Sequence, residues 1–130
     1  MSQNSKIIFV CEHGAAKSII AAAYFNKLAE ESNSELRAVA RGTNPDRELS
    51  PKTIAGLQED GLTPTESIPQ ELSLADLESA QGIVAFCELP EEYQSNVVVE
   101  RWDDIPPVSE DYEKARDAIV EKISQLIRTI

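Results

Sequence analysis

The 130-residue chain is 42% hydrophobic and carries a formal net charge of −11, which fits one domain spanning 1–130 with a real core and excludes a general nucleic-acid binder, since that charge repels a phosphate backbone. Any phosphate site must then be local and built largely from main-chain dipoles. The apolar run before Cys11 is too short for a signal-peptide core or for the ~20 residues of a membrane span, so the expected location is the cytoplasm, with no membrane partner.

Apolar runs alternate with helical patterns along the chain, the signature of a parallel sheet built from strand–helix–strand units. The run Lys6 to Cys11 predicts a buried strand, and a helix follows over Lys17 to Glu31 with Ile20, Ala23, Tyr24 and Leu28 on one face. A second strand is expected over Leu36 to Ala40. Ser50 before Pro51 gives a cap and a proline at the first helical position, opening a helix that should stop at Gly61. Residues 62–71, with two prolines, predict a loop, and Ser73 with Asp76 predicts a capping box on a short helix. Strands three and four are expected over Gly82 to Cys87 and Val97 to Trp102, joined by a short helical or looped crossover. Tyr112, Ala115, Ile119, Ile123, Leu126 and Ile130 then recur at helical spacing and predict a long amphipathic closing helix. The expected fold is a single α/β domain, a four-stranded parallel sheet flanked by helices in three Rossmann-like layers.

The chemistry concentrates between Cys11 and Ser18. A cysteine ending the first strand, a five-residue turn and Lys17-Ser18 at a helix start set a sulfur beneath a ring of main-chain N–H groups. The ring suits an anion, the helix dipole favours negative charge, and the Ser18 hydroxyl is placed to donate to a thiolate, the reactive form of cysteine. Gly14 allows close backbone approach and a positive φ, with Ala15 and Ala16 adding little bulk. Cys11 is thus the candidate nucleophile, Glu12, His13, Gly14, Ala15, Ala16, Lys17 and Ser18 the candidate anion nest, and phosphate or a similar oxyanion the expected partner. His13 fits a role in tuning the thiol or lining the pocket mouth, and equally a solvated loop. Two cysteines far apart do not make a disulfide framework, and with a single histidine they offer no four-ligand zinc spacing. No metal or cofactor is expected.

The segment from Ile7 to Phe25 resembles the opening of the low-molecular-weight protein tyrosine phosphatases and the related arsenate reductases, which carry Cys-x5-Arg-Ser there. The likeness continues in Arg41 to Leu62, with its Gly-Thr, Pro and Gly pattern, and in the Trp-Asp segment from Val97 to Pro107. It implies a covalent mechanism: the thiolate attacks phosphorus, an arginine clamps the equatorial oxygens, and an aspartate in an Asp-Pro pair protonates the leaving group. Two positions depart from that pattern. Lys17 replaces the arginine, exchanging a planar fork for a point charge; losing one transition-state donor costs about 2.7 to 4 kcal/mol, part of which a lysine recovers. Pro106 falls where the catalytic aspartate belongs, which leaves Asp103 and Asp104 as the candidate acids, although both also suit an ordinary turn.

Three readings remain open. The first is phosphomonoester hydrolysis, with protein phosphotyrosine the substrate the resemblance implies and a phosphoprotein the implied partner. The second is arsenate reduction, or other thiol-based oxyanion chemistry, with Cys87 at the end of a neighbouring strand as the redox partner of Cys11; the third cysteine that completes such a relay is absent after Cys87. The third is a non-catalytic anion or phosphoprotein sensor. Cys87 also fits a small apolar filler, and Trp102 a packing residue.

Overall fold

A computed structural model describes residues 6–93 and 99–129. Four strands, β1 (Lys6–Cys11), β2 (Arg37–Gly42), β3 (Ala80–Ala85) and β4 (Val99–Arg101), form one parallel sheet in the order β2-β1-β3-β4. The helices are α1 (Lys17–Glu31), α2 (Pro51–Glu59), α3 (Leu74–Ser79) and α4 (Tyr112–Thr129), with a 3-10 turn at Glu91–Tyr93. Among the described residues no helix is long and apolar enough to cross a membrane.

β1 is buried on both faces, and its alternation divides the core. Ile7, Phe9 and Cys11 point to the layer holding α1, α2 and α4, where Phe25, Leu57, Ile119 and Ile123 are buried. Ile8 and Val10 point to the other face, toward Leu72, Ile83 and Leu89. The register that puts Cys11 on the α1 side therefore follows from the period of two. Phe9 meets Phe25, Phe86 and Trp102 at ring-centroid separations of 5.9, 6.4 and 5.7 Å, and Trp102 is buried in that cluster. Consecutive small residues, Ala21 to Ala23, let α1 lie close on the sheet with all three buried.

The predicted elements are present with shifted ends. α1 has the expected bounds, whereas β2 runs on to Gly42 because it continues pairing with β1 through Cys11. α2 ends at Glu59, short of Gly61; its start is held by the Ser50 hydroxyl, which accepts from the Thr53 N–H. Ser73 and Asp76 form the capping box of α3. β3 lies two residues earlier than expected, so Cys87 stands beyond its end. Of the fourth predicted strand, Val97 and Val98 lie outside the described residues, as does Ile130 of the closing helix. Trp102 follows β4, its N–H still bonded to the Ala85 carbonyl.

Candidate active site

β1 has neighbours on both sides, and the connections leaving its two flanks open a crevice at the carboxyl ends of the strands, where parallel sheets build their sites. A cleft of ≈ 410 Å³ lies there. It is lined by Cys11, Glu12, His13, Ala15, Ala16 and Lys17 of the loop after β1 and the start of α1, by Phe86 and Cys87 after β3, by Pro107, Val108 and Ser109 before α4, and by Asp46 and Ser50.

The loop from Cys11 to Ala16 is fastened by its carbonyls. The segment after β2 runs beside it and donates in sequence: Thr43 N–H to the Cys11 carbonyl (3.2 Å), Asn44 to Glu12 (2.7 Å), Asp46 to His13 (3.0 Å) and Ser50 to Ala15 (3.0 Å). In a trans peptide the N–H points opposite to the C=O of the same plane. With these carbonyls turned toward residues 43–50, the N–H groups of Glu12, His13, Gly14 and Ala16 are turned away from that segment. Gly14 makes the reversal at φ 62°. Ala16, at the N-cap of α1, offers no capping side chain, and the first turn of the helix holds no acidic residue, so nothing within α1 offsets the positive end of its dipole.

Cys11 is 8% exposed, and its Sγ lies 3.0 Å from the Oγ of fully buried Ser18. That contact brings together the expected nucleophile and its expected hydroxyl partner. Cys87 is half-buried and lines the same cleft. Burial pushes its thiol up, the neighbouring Cys11 adds to this, and a hydrogen bond with Thr43 opposes it. The net direction keeps Cys87 protonated at neutral pH, which disfavours it as an attacking group.

Other expected residues stand differently. Lys17 lines the cleft, and its Nζ donates to the Ile105 carbonyl at 3.1 Å, tying the start of α1 to the loop before α4. Asp103 and Asp104, the expected acids, do not line the cleft. Asp103 pairs with Arg101 at 2.7 Å and Asp104 with Lys122 at 3.4 Å, and their side chains are 64% and 76% exposed. The physical reason is the path of the chain: leaving β4, both aspartates face solvent-side cations while Ile105 turns into the core. Pro107 to Ser109 reach the cleft instead. Tyr112 is buried, its hydroxyl donating to Asp60 at 2.9 Å, away from the cleft lining.

Sequence reasoning missed Asp46. Its carboxylate lies 3.1 Å from His13 Nδ1, and no local pattern announced the pair because thirty-odd residues of helix and strand separate the two.

A family model described as low molecular weight phosphotyrosine protein phosphatase matches residues 6–130. Among solved structures, the chain is similar to an arsenate reductase from Archaeoglobus fulgidus, with 26% identity, a TM-score of 0.76 and coverage of 93% of this chain and 98% of that one. It is also similar to YfkJ from Bacillus subtilis, at 20% identity and TM-score 0.84 over 96% and 93% of the two chains. A low molecular weight protein tyrosine phosphatase from T. tengcongensis shares 18% identity and TM-score 0.76 over 96% and 99%. Comparison with curated protein sequences gives no match.

Proposed function

The chain belongs to the low-molecular-weight phosphotyrosine protein phosphatase family, and from that premise we propose that it hydrolyses phosphomonoesters through a cysteinyl-phosphate at Cys11. The observation that carries this reading is the carbonyl-anchored loop between Cys11 and Ser18, which leaves main-chain donors and an uncompensated helix N-terminus for a dianion beside a hydroxyl-supported sulfur.

In this reading the Cys11 thiolate attacks phosphorus, forming an S–P bond as the bond to the leaving oxygen breaks, and water later cleaves S–P to return the thiolate. The hydroxyl of Ser18 donates to sulfur whenever it carries charge. The N–H groups of residues 12 to 18 hold the equatorial oxygens. Lys17 has three N–H donors; one reaches Ile105, leaving the charge and two donors for the anion. The apolar wall of Phe86, Pro107 and Val108 suits an aromatic leaving group, in keeping with a phosphotyrosine-like substrate on a phosphoprotein. Two unbridged cysteines suit a reducing compartment such as the cytoplasm.

The raised Cys87 thiol and the missing third cysteine favour hydrolysis over an arsenate relay. The test uses p-nitrophenyl phosphate, whose good leaving group needs little acid. Turnover abolished by Cys11→Ser is expected. Arsenite production that requires Cys87 marks the reductase reading instead, and phosphate binding without turnover marks the sensor.

A further inference from the structure

The geometry points to His13, oriented by Asp46, as the proton donor to the leaving group, a role that rests on the hydrolytic reading proposed above. Asp46 grips His13 twice. Its N–H donates to the His13 carbonyl at 3.0 Å, and its carboxylate pairs with the ring Nδ1 at 3.1 Å. The second contact engages Nδ1, Nε2 has only the Glu12 carboxylate beside it at 3.9 Å among the ion pairs of the described residues, and His13 lines the cleft.

The case is made by elimination as well as by position. The aspartates after β4 are paired with Arg101 and Lys122 outside the cleft. A solvent-exposed carboxyl has shed its proton by neutral pH and an ammonium holds its own too tightly, whereas an imidazole exchanges there. Glu12 and Asp46 are more than half exposed, and Lys17 is tethered to Ile105. Among the described residues lining the cleft, His13 alone combines an imidazole with a partner that holds its orientation.

The step balances. As Cys11 forms the S–P bond, the electron pair of the breaking P–O bond takes the Nε2 proton of the imidazolium, releasing an alcohol or phenol. The neutral imidazole then accepts a proton from the water whose oxygen attacks phosphorus, the S–P pair returns to sulfur, and phosphate leaves with the imidazolium restored. Two carboxylates flank the ring, Asp46 at 3.1 Å from Nδ1 and Glu12 at 3.9 Å from Nε2. Asp46 acts through His13 and is a positioning residue.

The experiment compares kcat/KM on phenyl phosphate, a poor leaving group, with p-nitrophenyl phosphate, a good one. His13→Gln is expected to lose about 100-fold or more on the first and less than about tenfold on the second. Asp46→Asn should show the same selectivity at smaller size, with Asp46→Glu restoring it, which a merely structural role would not produce. Equal losses on both substrates, no loss, or a selective loss in Glu12→Gln instead would overturn the assignment while Cys11-dependent turnover left the hydrolytic reading standing. Turnover that survives Cys11→Ser would overturn both.

Discussion

Gly14 and Gly42 meet backbone to backbone: a Cβ on Gly42 would lie 2.7 Å from the Gly14 nitrogen, and one on Gly14 would lie 3.0 Å from the Gly42 Cα. This contact presses the Cys11–Ala16 loop onto the end of β2 and lets Thr43, Asn44 and Asp46 reach its carbonyls. Gly42→Ala is therefore expected to destabilise the fold by about 1 to 3 kcal/mol, the usual cost of forcing bulk into a packed site. It should also weaken vanadate binding at least about tenfold because the nest is displaced. Chemical denaturation and vanadate titration on the same protein check both.

Ser18 is fully buried with its hydroxyl 3.0 Å from the Cys11 sulfur. A hydrogen bond to a charged group is worth about 1.5 to 3 kcal/mol, so Ser18→Ala should lower kcat/KM on p-nitrophenyl phosphate roughly ten- to hundredfold with little change in fold. Steady-state kinetics beside a far-ultraviolet spectrum separates the two effects.

Lys17 holds the Ile105 carbonyl and lines the cleft, and in the proposed mechanism it serves the loop and the anion together. Lys17→Met removes both functions and is expected to raise the phosphate inhibition constant about tenfold or more. It should also speed hydrogen exchange around residues 105–109. An unchanged inhibition constant with faster exchange would confine Lys17 to the tether.

Cys87 faces the cleft with its thiol pushed up by burial and by Cys11. A thiol whose deprotonation is deferred in this way stays protonated through neutral pH and becomes reactive only as pH rises above the ordinary thiol range. Alkylation by iodoacetamide followed by mass spectrometry should show slow labelling of Cys87 at pH 7 that accelerates toward pH 10. Cys87→Ser should retain turnover of p-nitrophenyl phosphate within about twofold, since in the hydrolytic mechanism no step passes through this sulfur.

Asp60 joins three elements beyond the cleft. It accepts from Tyr24 at 2.7 Å and Tyr112 at 2.9 Å and pairs with Arg116 at 3.0 Å. Burial by itself would raise this carboxyl, but the two phenol donors and the Arg116 charge outweigh it and hold the group below the usual range. A depressed folded-state value gives stability that is present above the unfolded carboxyl's range near pH 3.9 and lost as pH falls through the lower folded value. Asp60→Asn should cost about 1.5 to 3 kcal/mol at pH 7, and the gap between variant and parent should close in strongly acidic solution. Denaturant melts at pH 7 and at pH 3 and below would show it.

Local order sufficed for the strand–turn–helix that carries Cys11 and Ser18, because an apolar run with alternate faces, a small-residue turn and a helical period are each written within a few consecutive residues. The caps at Ser50 and Ser73 were legible for the same reason. Contacts between distant segments were not. That Lys17 reaches Ile105, that Asp46 holds His13, and that Gly42 receives Gly14 depends on how loops from different strands converge at one end of the sheet. Asp103 and Asp104 illustrate the limit most sharply: their side chains follow the path of an irregular segment beyond β4, where no periodicity links residue number to direction. The sequence alone determined which atoms could react, since composition and short-range spacing are properties of the chain. Only the folded molecule decided which of them meet, because that requires the sheet order to bring the ends of β1, β2 and β3 together.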